Sequence, residues 1–311
     1  MSVNANKPER WKADVARSVD FYNDWFMRFA PQAYRDTRVE TTKQVMSALK
    51  LTSNLTNIEP ETLKENPAVL PILRMATAPP LARDRLVGLA GVTPNLVKKI
   101  ETEQRIPPRM QAAQVKAELE RIGQIIHKLI DEDLFPWIGT AKEPLEKDVY
   151  RAATVVADRL CGAVANPIIR NAQEQRQLAV IQHWLEGRDY SPHQDGKFDE
   201  MQPGTFALRL NVPTTKVNIP VDVVIMPRQS SPGEMPLLIE AKSAGDFTNT
   251  NKRRKEEATK VAQLRDTYGD DVRFVLFLCG YFDSGYLGYE AAEGIDWVWE
   301  HRIDDLAEFG V

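Results

Sequence analysis

Two acids stand inside apolar extended runs in the second half of the chain, and they restrict what it can fold into. Asp222 interrupts the run Ile219–Met226, within Pro220-Val221-Asp222. After a gap of 17 residues, Glu240 follows Leu237-Leu238-Ile239 and opens Glu240-Ala241-Lys242. The composition predicts strands over Thr205–Val212, 217–226 and 236–242, with Pro213-Thr214-Thr215 as a turn between the first two. Side chains alternate along a strand, so Glu240 and Lys242 share a face. A carboxylate among apolar neighbours is costly unless something compensates it, and one divalent cation compensates two. Hard cations such as Mg²⁺ prefer carboxylate oxygens and retain several waters. One such water, its pKa lowered, is a nucleophile for in-line attack on phosphorus. Lys242 beside it would orient that water or offset charge on the phosphate oxygens. The bland alternative is a surface hairpin carrying one Asp and a Glu–Lys pair. P-x-D followed by E-x-K is frequent by chance, and it is the apolar context that favours the chemical reading.

The flanking segments point to an α/β arrangement. Asn166 reads as an N-cap, Pro167 as the first helical residue and Gly187 as the stop of a helix over 166–186. Glu174 lies 4, 7 and 11 residues before Leu178, Ile181 and Leu185, on that helix's apolar face, and is a candidate third metal acid. It competes with the reading of a rim glutamate, and with Arg176 and Gln177 for a polar role. A polar helix is expected from about residue 251 to 268, then a buried strand over the apolar run 272–279. The predicted order is helix, three strands, helix, strand. Residues 1–150 read as mainly helical: Val115, Leu119, Ile122, Ile126 and Leu129 form one amphipathic stripe, and Pro79-Pro80 and Pro107-Pro108 bracket a compact unit. The expected division is a helical domain over 1–150 and an α/β domain over 151–311.

Charge gives no global sign of a nucleic-acid partner. The net charge is −4; residues 1–150 hold 22 basic and 20 acidic residues, and the remainder 18 and 24. Any anion site must therefore be local. One candidate follows Lys242, where Lys252-Arg253-Arg254-Lys255 crowd a helix start, an arrangement suited to phosphates. Ser243, Thr248, Asn249 and Asn251 are candidate phosphate or base contacts beside it. The alternative is a solvated basic face balanced by Glu256 and Glu257. A second candidate is the helix-turn-helix-like stretch 83–103, with Gly91 as the turn, Thr93 and Pro94 as the cap, and Val97 and Ile100 packed. Its second helix would offer Asn95, Lys98 and Lys99 to a major groove, although a plain helical hairpin explains the same pattern.

Other chemistries lack their residues. The four histidines show no H-x-x-x-H or H-E-x-x-H spacing, and there is no G-x-x-x-x-G-K-[ST] loop, G-x-S-x-G elbow or Cys/His zinc cluster. Cys161 and Cys279 suggest reduced core thiols rather than a disulfide. No apolar signal segment opens the chain, and no run approaches the roughly 20 consecutive apolar residues of a membrane span. A cytoplasmic protein without membrane contact is expected.

These residues carry a resemblance. Pro220-Val221-Asp222 and Glu240-Ala241-Lys242, with the helix bearing Glu174, resemble the PD-(D/E)XK nuclease superfamily, whose core has the order predicted above: a mixed central sheet flanked by helices. NPIIRNAQEQRQL from Asn166, AKSAGDFTNTNKRRKEEA from Ala241, the N-terminal W-x-x-D…WF-x-x-x-AP and LARDRLVGLAGVTPNLVKKIE look like type II restriction endonucleases, most like the XamI-type family. The resemblance implies a Mg²⁺-dependent endonuclease that cuts double-stranded DNA at a short palindrome, expected to be GTCGAC, and leaves 5′-phosphates. It implies that Asp222 and Glu240 hold the cation, that Glu174 supports it and that Lys242 serves the nucleophilic water. A palindrome read by identical chains implies a homodimer, with a DNA methyltransferase as genetic partner. The N-terminal half would then grip DNA or dimerise. A repair or junction-cleaving nuclease with the same core, and a non-enzymatic helix-turn-helix regulator, are the competing readings.

Overall fold

The computed structural model describes residues 2–140, 143–194, 196–231, 233–248 and 250–311, with the side chains of residues 250–254 also outside the description. The helices are α1 (Pro8–Leu51), α2 (Pro60–Glu65), α3 (Leu70–Met75), α4 (Arg83–Ala90), α5 (Pro94–Glu103), α6 (Ala112–Leu129), α7 (Glu146–Glu186), α8 (Thr250–Tyr268) and α9 (Ser284–Ala292). The strands are β1 (Ser191–Pro192), β2 (Thr205–Val212), β3 (Ile219–Met226), β4 (Leu237–Ala244), β5 (Arg273–Gly280) and β6 (Asp296–Trp299). Two compact units form: residues 1–30 with 169–311, and residues 31–168.

The first unit is a mixed α/β layer structure. Its six strands lie in chain order, β1-β2-β3-β4-β5-β6. β2, β3 and β4 are antiparallel neighbours, whereas β4, β5 and β6 run parallel, so α8 and α9 are the crossovers that parallel pairing requires. One face buries Val223, Ile239, Val275, Phe277 and Val298 against Leu178, Ile181 and Leu185 of α7. The other buries Leu238, Leu276 and Leu278 against Val261 and Leu264 of α8 and Leu287 of α9. β5 is covered on both faces, which is why residues 274–279 read as a continuous apolar run, whereas β4 does so only over 237–239, ahead of Glu240 and Lys242.

The N-terminal segment belongs to this sheet unit. Asp296 accepts the backbone N–H groups of Val3, Asn4 and Ala5, the last two at 3.0 Å. Trp11 packs edge-on against Trp297, and Ser18 Oγ accepts from Gly280 N at 2.8 Å. Contacts spanning some 260–290 positions leave no trace in local pattern, so the observed division differs from one boundary near residue 150.

The second unit is helical, its core running through Leu49, Leu73, Leu86, Leu96, Leu119, Ile122, Ile126 and Ala153. Gly91 takes φ +58° between α4 and α5. Thr93 does not cap α5 with its own hydroxyl. Its N–H and Oγ1 instead donate to the buried Glu118 of α6, both at 2.8 Å. Burial pushes that carboxyl up, and the Thr93 and Gln114 hydrogen bonds outweigh it and hold the pKa below the ordinary value.

One local expectation is corrected. Asn166 is no N-cap: α7 starts at Glu146 and runs unbroken through Pro167, so no cap is needed there, and the proline removes only one backbone donor. By length and composition α7 could also cross a bilayer, although it holds no uninterrupted apolar run of that length. That is weak evidence, and its Ala152, Ala153, Val156, Ala157 and Cys161 are buried. Both cysteines are free and buried.

Candidate active site

The site forms where two strands part. The β3–β4 ladder runs Ile225↔Leu237, Val224↔Leu238 and Val223↔Ile239. Continued by one residue, this register sets Asp222 opposite Glu240. There the ladder stops, and the Ala241 N–H donates to Asp222 Oδ2 at 2.8 Å. β4 stays paired with β5 as far as Ala244↔Gly280. Asp222, Glu240 and Lys242 therefore line a fork in the sheet, a common place for ligands in α/β structures.

Asp222 is re-aimed by a local distortion. Phe206 and Leu208 of β2 face α7, but Leu210 and Val212 face the opposite layer; Val223 and Ile225 of β3 face α7, but Val221 and Ile219 do not. The alternation reverses at Arg209, whose φ is +53°, and at Asp222 across from it. A non-glycine residue in the left-handed region inside a strand is strained, a feature concentrated at functional sites.

Electrostatics tie the cluster together. Glu240 is 5% exposed. Its Oε1 accepts from Lys242 Nζ at 3.0 Å and from Lys260 Nζ of α8 at 2.6 Å. Its Oε2 is buried with no hydrogen-bond partner. Lys242 Nζ also pairs with Oε1 of Glu257 at 3.2 Å, and Glu257 is fully buried on α8. Desolvation, reinforced by the Glu240 charge, raises the Asp222 pKa to about 6. Burial alone would lower the Lys242 pKa, but the two carboxylates outweigh it and raise it. Burial pushes Glu257 up, and Lys242 only partly pulls it back.

Two facing carboxylates, one presenting a buried oxygen without a partner, are a donor set suited to a hard cation. The adjacent ammonium is clamped between two acids, so its charge persists at neutral pH and can face an anionic group. Among the described residues no group of three or more His, Cys, Asp or Glu side chains is gathered closely enough to hold a metal ion.

The other sequence candidates are placed as follows. Glu174 is part-exposed, and its Oε1 accepts from Arg209 Nη2 at 2.6 Å; its charge still raises the Asp222 pKa slightly. Gln177 is buried and donates to the carbonyls of Lys242 and Phe277, both at 3.3 Å. Arg176 pairs with Glu300 at 2.9 Å. Ser243 lies on β4 one residue past Lys242. The Thr248 N–H and hydroxyl both turn back to Asp246 Oδ1. Asn249 lies outside the described residues, as do the side chains of Asn251, Lys252, Arg253 and Arg254; α8 does begin beside them, and Lys255 is exposed. On α5, Asn95 and Lys98 are exposed, and Lys99 pairs with Glu103 at 2.8 Å.

Three residues at the site escaped the sequence reading. Glu257 is not part of a solvated face. It precedes Val261, Leu264 and Tyr268 by 4, 7 and 11 positions, so the reasoning that singled out Glu174 would have found it on α8. Lys260 follows by one turn. Arg209 carried no signal, because its conformation is not encoded in residue type.

Comparison with known proteins supplies a family. The XamI restriction endonuclease family model matches residues 53–299. The type II restriction enzyme SalI of Streptomyces albus G is 54% identical over 316 residues, covering 99% of this chain and 99% of that enzyme. No solved structure matches.

Proposed function

The chain belongs to the XamI restriction endonuclease family, and from that premise we propose how it acts on DNA. As a type II restriction endonuclease it is a site-specific deoxyribonuclease. It hydrolyses both strands at a short palindrome, GTCGAC, and leaves 5′-phosphates. The observation that carries this reading is the fork itself, with Asp222 opposite Glu240, a buried unpartnered carboxylate oxygen and a clamped lysine alongside.

Asp222 and Glu240 would hold Mg²⁺, which when bound would lower the pKa of an attacking water and offset phosphate charge. Lys242 is kept protonated by Glu240 and Glu257, and it steadies the nucleophile or a phosphate oxygen as charge builds in the transition state. Glu174 supports the site from α7, positioned by Arg209. The phosphate-binding groups are Ser243 at the end of β4, Thr248 and Asn249 in the connection that follows, and Asn251, Lys252, Arg253, Arg254 and Lys255 at the start of α8. The chain's mild acidity makes that local cluster the main source of affinity for the backbone. In the helical unit, Asn95, Lys98 and Lys99 offer a second set of contacts, and the unit grips DNA or dimerises. A homodimer reads the palindrome symmetrically in the cytoplasm, where a cognate methyltransferase protects the host.

The test is digestion of plasmid DNA of known sequence in Mg²⁺. Discrete fragments with ends at GTCGAC are expected, and Asp222→Ala, Glu240→Ala and Lys242→Ala each abolish cutting while retaining binding to a duplex carrying the site. Random or structure-dependent nicking, or wild-type cutting by Lys242→Ala, refutes the assignment.

A further inference from the structure

Glu240 has two ammonium groups on one oxygen, and they are not equivalent. Lys242 Nζ, at 3.0 Å from Oε1, is anchored a second time by Glu257 at 3.2 Å. Lys260 Nζ sits closer to the same oxygen, at 2.6 Å. Among the described residues it has no second carboxylate; its other contact is the Pro220 carbonyl at 3.4 Å. It reaches the site from α8 on a flexible four-carbon stem and remains partly exposed. Lys242 is thus fixed between two acids, whereas Lys260 has a single carboxylate, that of Glu240, and a long contact to the Pro220 carbonyl.

We propose that Lys260 is a positioning residue that competes with a divalent cation for Glu240, so that metal loading requires the lysine to swing off the carboxylate. The inference rests on the assignment of Asp222 and Glu240 as the metal site. Its physics is charge balance. Asp222 and Glu240 supply two negative charges; Lys260 satisfies one of them, and a divalent ion placed between the acids repels an ammonium at this distance. The basic cluster at residues 252–255 lies five to eight residues before Lys260 on the same helix, roughly 8–12 Å along its axis, so a DNA backbone that tracks this stretch of α8 would also offer a phosphate to the displaced ammonium. Metal and DNA would then load together rather than separately, which limits cutting away from bound substrate.

The experiment titrates the full-length protein, without DNA, with Mn²⁺ and reads bound metal by electron paramagnetic resonance. Lys260→Met is expected to bind Mn²⁺ about tenfold more tightly than wild type, the scale of a partly screened ion pair. Lys260→Arg keeps the wild-type affinity, because it keeps the competing charge. Addition of a cognate duplex is expected to tighten Mn²⁺ binding in wild type more than in Lys260→Met. A merely structural lysine gives the opposite sign, with weaker binding on removal. Unchanged or weakened Mn²⁺ affinity in Lys260→Met overturns the proposal; Lys260→Gln repeats the measurement if the Met variant does not fold. Asp222→Ala keeps the two failures apart. If it retains wild-type Mn²⁺ binding, the metal-site assignment itself falls. If it loses binding while Lys260→Met matches wild type, only the role of Lys260 falls.

Discussion

Replacing Asp222 by Asn should kill the enzyme and stabilise the protein. The folded carboxyl titrates at about 6, against 3.8 for an ordinary aspartate, chiefly because it is desolvated and faces Glu240. A difference of about two pH units between folded and unfolded states corresponds to about 3 kcal/mol. Asp222 retains partial exposure, so screening reduces the expected cost to about 1–2 kcal/mol. The sign follows from proton linkage. Between about pH 4 and pH 6 the folded protein binds the proton that the unfolded chain has released, so wild-type stability falls across this window as pH rises. The cost is fully present above about pH 6 and absent below about pH 4. The amide introduced by Asp222→Asn carries no such charge, and its oxygen can still accept the Ala241 N–H that Asp222 holds at 2.8 Å. Urea unfolding in EDTA should therefore show the variant more stable at pH 7, with the gap closing towards pH 4. Mg²⁺ should raise the unfolding midpoint of wild type and leave the variant unmoved. A variant less stable at pH 7, or a gap that does not vary with pH, refutes the reasoning.

Gly280→Ala should destabilise the sheet unit severely, and more than any exposed substitution. Gly280 sits at φ +100°, and a Cβ there would lie 2.1 Å from the Ala244 carbonyl oxygen; expression and thermal unfolding report the loss. Glu118→Ala should cost the helical unit about 1–3 kcal/mol by denaturant unfolding, since it strips the Thr93 N–H and hydroxyl of their acceptor.

The strands and both acids at the fork were legible because they obey local rules. An acid inside an apolar run contradicts burial, and the E-x-K spacing fixes a shared face whatever the tertiary structure. The start of α7 was not legible: Asn166 and Pro167 make a persuasive cap, but the helix begins twenty residues upstream, at Glu146, and propagates through them. Glu257 could have been found by helical spacing, but its place in a charged, polar segment made a solvated face the natural reading. Lys260 and Arg209 depend on how α8 docks and on one unusual backbone angle, neither of which local sequence specifies. The attachment of residues 1–30 to the sheet rests on contacts between opposite ends of the chain, beyond the reach of any window.

The exchange of faces at Arg209 and Asp222 limits how the enzyme can diversify. One residue removed from β3 between Ile219 and Asp222, or added there, would swing the acid into an oily layer and seat a hydrophobe at the fork. Length changes can therefore accumulate in the connection between β3 and β4, at residues 227–236, while the strands themselves admit only exchanges of residue type. New target preferences would have to arise from the surrounding loops and helix ends, with the cutting apparatus carried along at constant register.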